Sequence, residues 1–112
     1  MILDAREKPE FNVSHIPGAK YIGYKKFELK KVSQWLPRGK KIILYCSVGY
    51  RSEIVARKLK ANGYKVFNLL GGIFEWSNHG YQLIDKNGAK TSKIHTYNQN
   101  WGKWVEKGEK IH

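Results

Sequence analysis

The chain has 112 residues, 41% hydrophobic and 27% charged, the composition of one ordered globular domain with enough length for a core. Its 21 lysines and arginines against 9 acidic residues give a net charge of +12. No apolar run is long enough to span a membrane, and a lone cysteine excludes an intramolecular disulfide framework and any C-x-x-C zinc pattern.

The elements alternate between strand and helix. Ile2-Leu3 reads as a buried strand that begins directly after Met1, so no signal peptide is expected. Pro9 to Gly18 is a loop with a short helical piece, and His15-Ile16-Pro17-Gly18-Ala19 turns the chain into a strand over Lys20–Ile22. Leu29, Val32, Trp35 and Leu36 share one face at helical spacing, and Pro37 and Gly39 end that helix. Ile42-Ile43-Leu44-Tyr45 is an unalternated apolar strand, as in a parallel sheet covered on both faces. A helix follows from Glu53 to Asn62, with Ile54, Val55 and Leu59 facing the core and Asn62-Gly63 as its left-handed cap. Val66 to Leu70 is the next strand, and Gly71-Gly72 leads into a short helix with Ile73 and Trp76 turned inward. Strands alternating with helices predict an α/β protein with a central parallel sheet between helical layers.

Cys46 lies where the apolar strand gives way to the helix, in the run Cys46-Ser47-Val48-Gly49-Tyr50-Arg51-Ser52. Beyond the carboxyl ends of strands is where open α/β sheets bind ligands. A free thiol is mostly protonated at neutral pH, and the thiolate is the nucleophile. Three features of the run favour the thiolate. Arg51 is a permanent cation, the helix directs its positive dipole end at the loop, and Gly49 lets successive amides turn inward as an anion nest. Ser52 is the expected N-cap and Glu53 complements the dipole. A lone cysteine ending a strand is usually a small buried hydrophobe; cysteine, glycine, arginine and serine in this order tip the reading to catalysis.

The run fits C-x-x-G-x-R-S and resembles the active-site loop of rhodanese-type sulfurtransferases. Two further signatures stand in the family's order and spacing: Leu3-Asp4-Ala5-Arg6-Glu7 with Glu10-Phe11 and His15-Ile16-Pro17-Gly18-Ala19, and Asn68-Leu69-Leu70-Gly71-Gly72-Ile73 with Trp76. The resemblance covers residues 1–83 and implies a three-layer α/β/α rhodanese-like fold. That fold would be short at its N-terminus, because family members usually have a strand and helix before the Asp4 strand, and would carry an extension over residues 84–112. Ser14 stands where the family often has glycine.

The resemblance implies sulfur transfer. Cys46 would take a sulfane sulfur from a small anionic donor such as thiosulfate and hold it as a persulfide. Cyanide, a small thiol or a protein thiol would then remove it. Cys46 and Arg51 would be catalytic. Ser47, Val48, Gly49, Tyr50 and Ser52 would form the substrate-binding loop, with Val48 and Tyr50 shaping its entrance. Arg6 is expected either to pair with Asp4 and brace the loop or to line the mouth of the pocket. His15 is expected to fix its turn rather than act as acid or base. Four residues separate Cys46 from Arg51. Dual-specificity phosphatases and arsenate reductases on this fold have C-x5-R, a wider cradle for a tetrahedral oxyanion, so loop length favours sulfur transfer. A docking, persulfide-carrier or thiol-sensing module is the alternative of another class.

No cofactor is implied, and His15, His79, His95 and His112 have no metal-like spacing. The expected state is a cytoplasmic monomer that binds no membrane. Asp85-Lys86-Asn87-Gly88 reads as a hairpin turn. Trp101, Trp104 and Val105 stand at i, i+3, i+4, so a short helix packing back on the domain is expected, weakened by Gly102. That segment might otherwise offer a stacking surface, or cover the sheet edge left by the missing first strand. The basic residues are scattered, with pairs at Lys25-Lys26, Lys30-Lys31, Lys40-Lys41 and Arg57-Lys58. A solvated surface that attracts anionic donors or an acidic acceptor protein explains them better than a nucleic-acid site.

Overall fold

The computed structural model describes residues 1–111, with the side chains of residues 99 and 100 left out. In chain order the elements are β1 (Ile2–Asp4), α1 (Lys8–Val13), β2 (Lys20–Tyr21), α2 (Leu29–Val32), β3 (Lys41–Tyr45), α3 (Tyr50–Ala61), β4 (Lys65–Asn68) and α4 (Gly72–Asn78). After these come β5 (Leu83–Ile84), β6 (Lys90–Thr91), β7 (Lys93–His95), α5 (Gln99–Gly102) and β8 (Glu109–Ile111). The first four strands form one parallel sheet in the order β2-β1-β3-β4. Every connection within it contains a helix, as parallel pairing demands.

The alternation of side chains along a strand divides the interior into two layers. Ile42 and Leu44 of β3, with Leu3 of β1 and Val66 of β4, pack on one face against Val32 of α2 and Val55, Ala56 and Leu59 of α3. Tyr45 faces the other way and joins Ile16, Ile73, Phe74 and Leu83, together with Ile94 and Val105 from the extension. Each fully buried side chain of this size stabilises the fold by about 1.5–3 kcal/mol. Among the described residues no helix is long and apolar enough to cross a membrane.

Three local expectations are revised. The helix after β3 starts at Tyr50, not Glu53, because Gly49 takes φ 118° and turns the strand into the helix within one residue. Gly49 is therefore the N-cap, and Ser52 lies inside the first turn. Regular helix in α2 ends at Val32; the tighter Trp35-to-Val32 bond that follows rotates Trp35 off the core face, where it lies under the Lys20 ammonium at 5.6 Å. Trp76 is half-buried rather than core, and its Nε1 donates to the Gln82 carbonyl.

The extension is ordered by its own short-range chemistry. Asp85 Oδ1 accepts from the amides of Asn87 and Ala89 at 2.9 and 3.0 Å, Gly88 takes φ 81°, and β5 and β6 pair antiparallel on either side. Strands β7 and β8 pair with each other in parallel, so they leave the edges of the main sheet uncovered, contrary to one expectation. Helix α5 is one turn long and ends before Trp104, which is exposed, whereas Val105 is buried.

Candidate active site

Cys46 is the first residue after β3 and has no exposed surface. Its Sγ accepts from the Gly49 amide at 3.1 Å, and the Ser52 hydroxyl lies 3.5 Å away. The loop's carbonyls are tied down on the outside. Ile73 and Phe74, whose amides lie in the first turn of α4 and so lack helical partners, donate to the carbonyls of Cys46 and Ser47 at 2.9 and 3.1 Å. Asn68 Nδ2 and the Glu53 amide donate to the Gly49 carbonyl, and Ser52 Oγ donates to Asn68 Oδ1 at 2.5 Å. With the carbonyls held outward, the Gly49 amide is free to point at the sulfur. The twelve-residue helix α3 begins here and presents its positive end to the same region.

Arg51 does not reach for the thiol. Its Nη1 and Nη2 donate to the two oxygens of Glu10 at 2.8 and 2.7 Å, and Nη2 also donates to Ser47 Oγ at 2.8 Å. Burial alone would lower the Arg51 pKa, but the hydrogen bonds and charge of Glu10 leave it raised. Burial likewise pushes the Glu10 carboxyl up, and the Arg51 guanidinium overcomes this and holds it below its ordinary value. The cation expected to face a donor anion is instead neutralised inside the protein, where it braces the loop through Ser47.

Arg6 also departs from one of its expected places. It has no exposed surface and does not line the mouth. Its Nε and Nη2 grip Asp4 at 3.0 and 2.8 Å, and Nη2 also donates to the Ser14 carbonyl at 2.7 Å. Asp4 Oδ2 accepts from the Tyr45 hydroxyl at 2.7 Å, and Tyr45 in turn accepts from the Ile16 amide. This network joins β1, β3 and the His15 turn beneath the loop. Burial and the Asp4 charge raise the Tyr45 pKa well above its ordinary value, so the phenol stays protonated as the donor to Asp4. His15 holds its turn: Nδ1 donates to the Phe11 carbonyl at 3.0 Å, its ring stacks on Phe11 at 3.8 Å, and its backbone pairs with Ile84.

Two open clefts flank the loop, and Val48 and Gly71 line both. Phe74 and Trp104 form walls of one, and Tyr50 and Leu70 of the other. Val48 is half-buried and Tyr50 is exposed, so both stand at the entrance. A third cleft, between α4 and the β5–β6 hairpin, contains no residue of the loop.

Sequence reasoning did not single out Glu10, Asn68 or Tyr45 as site residues. Glu10 and Asn68 belong to the quoted signatures, and nothing local to them reveals a partner 41 or 16 residues away.

A model of the rhodanese-like domain family matches residues 1–79. A putative sulfur carrier protein, YrkF of Bacillus subtilis, is 38% identical over 77 residues, which cover 68% of this chain and 40% of that protein. The thiosulfate sulfurtransferase GlpE of Coxiella burnetii is 31% identical over 80 residues, 70% of this chain and 73% of its own. A tRNA sulfurtransferase of Desulfurococcus amylolyticus is 34% identical, but the match takes in 14% of it, so the chain spans less than half the length of two of these three relatives. Among solved structures, BH2092 of Bacillus halodurans superposes with a TM-score of 0.72 at 26% identity, over 79% of this chain and 65% of that one. A rhodanese-related protein of Thermoplasma volcanium superposes at 0.67 with 30% identity, over 74% and 81%. With three signatures, a parallel sheet ending at Cys46 and a family match over most of its length, the chain belongs to the rhodanese-like family.

Proposed function

We propose that this protein is a sulfurtransferase that carries sulfane sulfur as a persulfide on Cys46. The observation that carries the reading is the sulfur itself: Sγ at the carboxyl end of β3, 3.1 Å from an inward-turned amide, in a loop with four residues between cysteine and arginine. Thiolate Cys46 attacks the outer sulfur of thiosulfate; the new S–S bond forms as the old one breaks, and sulfite leaves with the electron pair. An acceptor such as cyanide or a thiolate then attacks the terminal sulfur and releases the Cys46 thiolate. The Gly49 amide and the Ser52 hydroxyl are placed to stabilise sulfur anions on this path. A free reactive thiol suits a reducing compartment, and we place the protein in the cytoplasm on that ground.

The phosphatase reading fares worse. The acidic groups beneath the loop, Asp4 and Glu10, are each locked in an ion pair, and neither is free to protonate a leaving oxygen. A second reading, a slow persulfide carrier or thiol sensor, gains from two facts: Cys46 is fully covered, and Arg51 is neutralised by Glu10. Small anions then have little to attract them to the sulfur.

Thiosulfate-to-cyanide transfer by wild type beside Cys46→Ser tests the proposal. We expect thiocyanate formation that vanishes in the variant, and mass spectrometry showing one added sulfur on the wild type alone. A folded wild type that gains no sulfur from thiosulfate would favour the carrier or sensor reading.

A further inference from the structure

We propose that the C-terminal extension supplies an aromatic clamp for the loop arginine, with Tyr97 and Trp101 as positioning residues for the Cys46 loop. The proposal rests on Cys46 being the working thiol and adds to it two residues outside the segment matched by the family, residues 1–79.

The guanidinium of Arg51 is enclosed from two directions. Its outer nitrogens are taken by Glu10 and Ser47. Over it stand two rings, with the centroid of Tyr97 at 5.0 Å and that of Trp101 at 5.7 Å. The rings also pack on each other, centroids 5.0 Å apart. Arg51 Nε is buried without a hydrogen-bond partner among the described residues. The negative π faces are thus its remaining electrostatic compensation, and a desolvated cation is where such contacts are strongest.

The placement of Tyr97 is not a by-product of an ordinary chain path. Among the described residues it is the one non-glycine with positive φ, at 73°. A bulky side chain persists there only where the surroundings over-determine it. The Tyr97 amide donates to His95 Nδ1 at 3.0 Å, the Asn98 amide to the Thr96 carbonyl at 2.8 Å, and Asn98 Oδ1 caps α5 by accepting from Trp101 at 2.9 Å. Trp101 packs against the second core layer. These bonds hold both rings on Arg51. Because Arg51 Nη2 grips Ser47, the neighbour of Cys46, immobilising the guanidinium immobilises the loop and keeps the sulfur covered.

The test uses the full chain and the rate of Cys46 alkylation by iodoacetamide, which needs no sulfur substrate. Tyr97→Gly removes a ring and suits the backbone conformation, so its urea midpoint should equal or exceed the wild type's. Trp101→Leu keeps apolar bulk without a π face of tryptophan's strength, and Trp101→Phe keeps an aromatic face. We expect Tyr97→Gly and Trp101→Leu to alkylate roughly three- to tenfold faster than wild type, and Trp101→Phe to stay near it. In an Arg51→Lys background, Trp101→Leu should add nothing, because the planar group it clamps is gone. Wild-type alkylation rates in both ring-loss variants, or an undiminished Trp101→Leu effect beside Arg51→Lys, would overturn the clamp. A wild type that takes no sulfur from thiosulfate would count against the proposed activity, and the alkylation rates would still decide the clamp.

Discussion

Glu10 decides whether Arg51 can remain inside the protein. Its two oxygens accept from Arg51, and Oε2 also accepts from the Glu7 amide. Replacement by alanine leaves a buried guanidinium without a counterion, so Glu10→Ala should destabilise the fold by about 3–5 kcal/mol in urea unfolding. The pair also sets an acid limit. The folded Glu10 carboxyl sits below its ordinary value, so over the interval between the two values the unfolded chain binds more protons. Stability from this group is therefore complete above the ordinary carboxylate value, roughly pH 4.3, and drains away as pH falls through the folded value. Glu10→Gln should flatten this part of the acid limb of a urea-midpoint-against-pH curve; an unchanged limb would show that other carboxylates set it. None of this pairing can be seen locally. Arg51 and Arg6 were legible as charged members of motifs, but which carboxylate each would meet depended on contacts that folding creates, and that choice turned one presumed anion receptor into a brace.

Helix α4 meets the loop at Gly72. It takes φ 60°, and a Cβ there would come within 3.0 Å of the Cys46 and Ser47 carbonyl oxygens, which are backbone atoms with nowhere to go. Gly88 has a similar positive φ of 81° but open space around it. Gly88→Ala should therefore cost only the backbone term, about 1 kcal/mol. Gly72→Ala should cost at least about 2 kcal/mol and also displace the loop, so that sulfur transfer falls with stability. Equal thermal shifts for the two variants would show that α4 yields to the loop. Elements whose signals are local were readable from sequence: the apolar β3, the Asp85–Gly88 turn, and the glycines that open α4. The start of α3 was displaced because one glycine conformation made a serine cap unnecessary and freed Ser52 to face Asn68 and the sulfur. Trp35 was misplaced because helical spacing assumes the helix continues, and this one tightens first.

At the scale of the whole molecule, the extension shares the domain's interior. Ile94 and Val105 lie in the same layer as Tyr45, Ile73 and Phe74. The end of α4 holds the extension by side chain: Asn78 Nδ2 donates to the Trp104 carbonyl at 2.9 Å, Asn78 Oδ1 accepts from Glu106 at 2.6 Å, and Ser77 Oγ donates to the Lys107 carbonyl at 3.0 Å. Buried apolar contacts and satisfied backbone groups of this kind link segments into one cooperative unit. Ile94→Ala removes a fully buried side chain and should cost about 2–5 kcal/mol. The decisive observation is which part of the protein feels that cost. If the extension and the sheet unfold together, tryptophan fluorescence, dominated by the extension, and Cys46 labelling, which reports the loop, will give the same urea midpoint, and Ile94→Ala will lower both equally. A midpoint lowered for fluorescence alone would mean that the extension frays independently, and the loop would then keep its cover without help from the chain beyond α4.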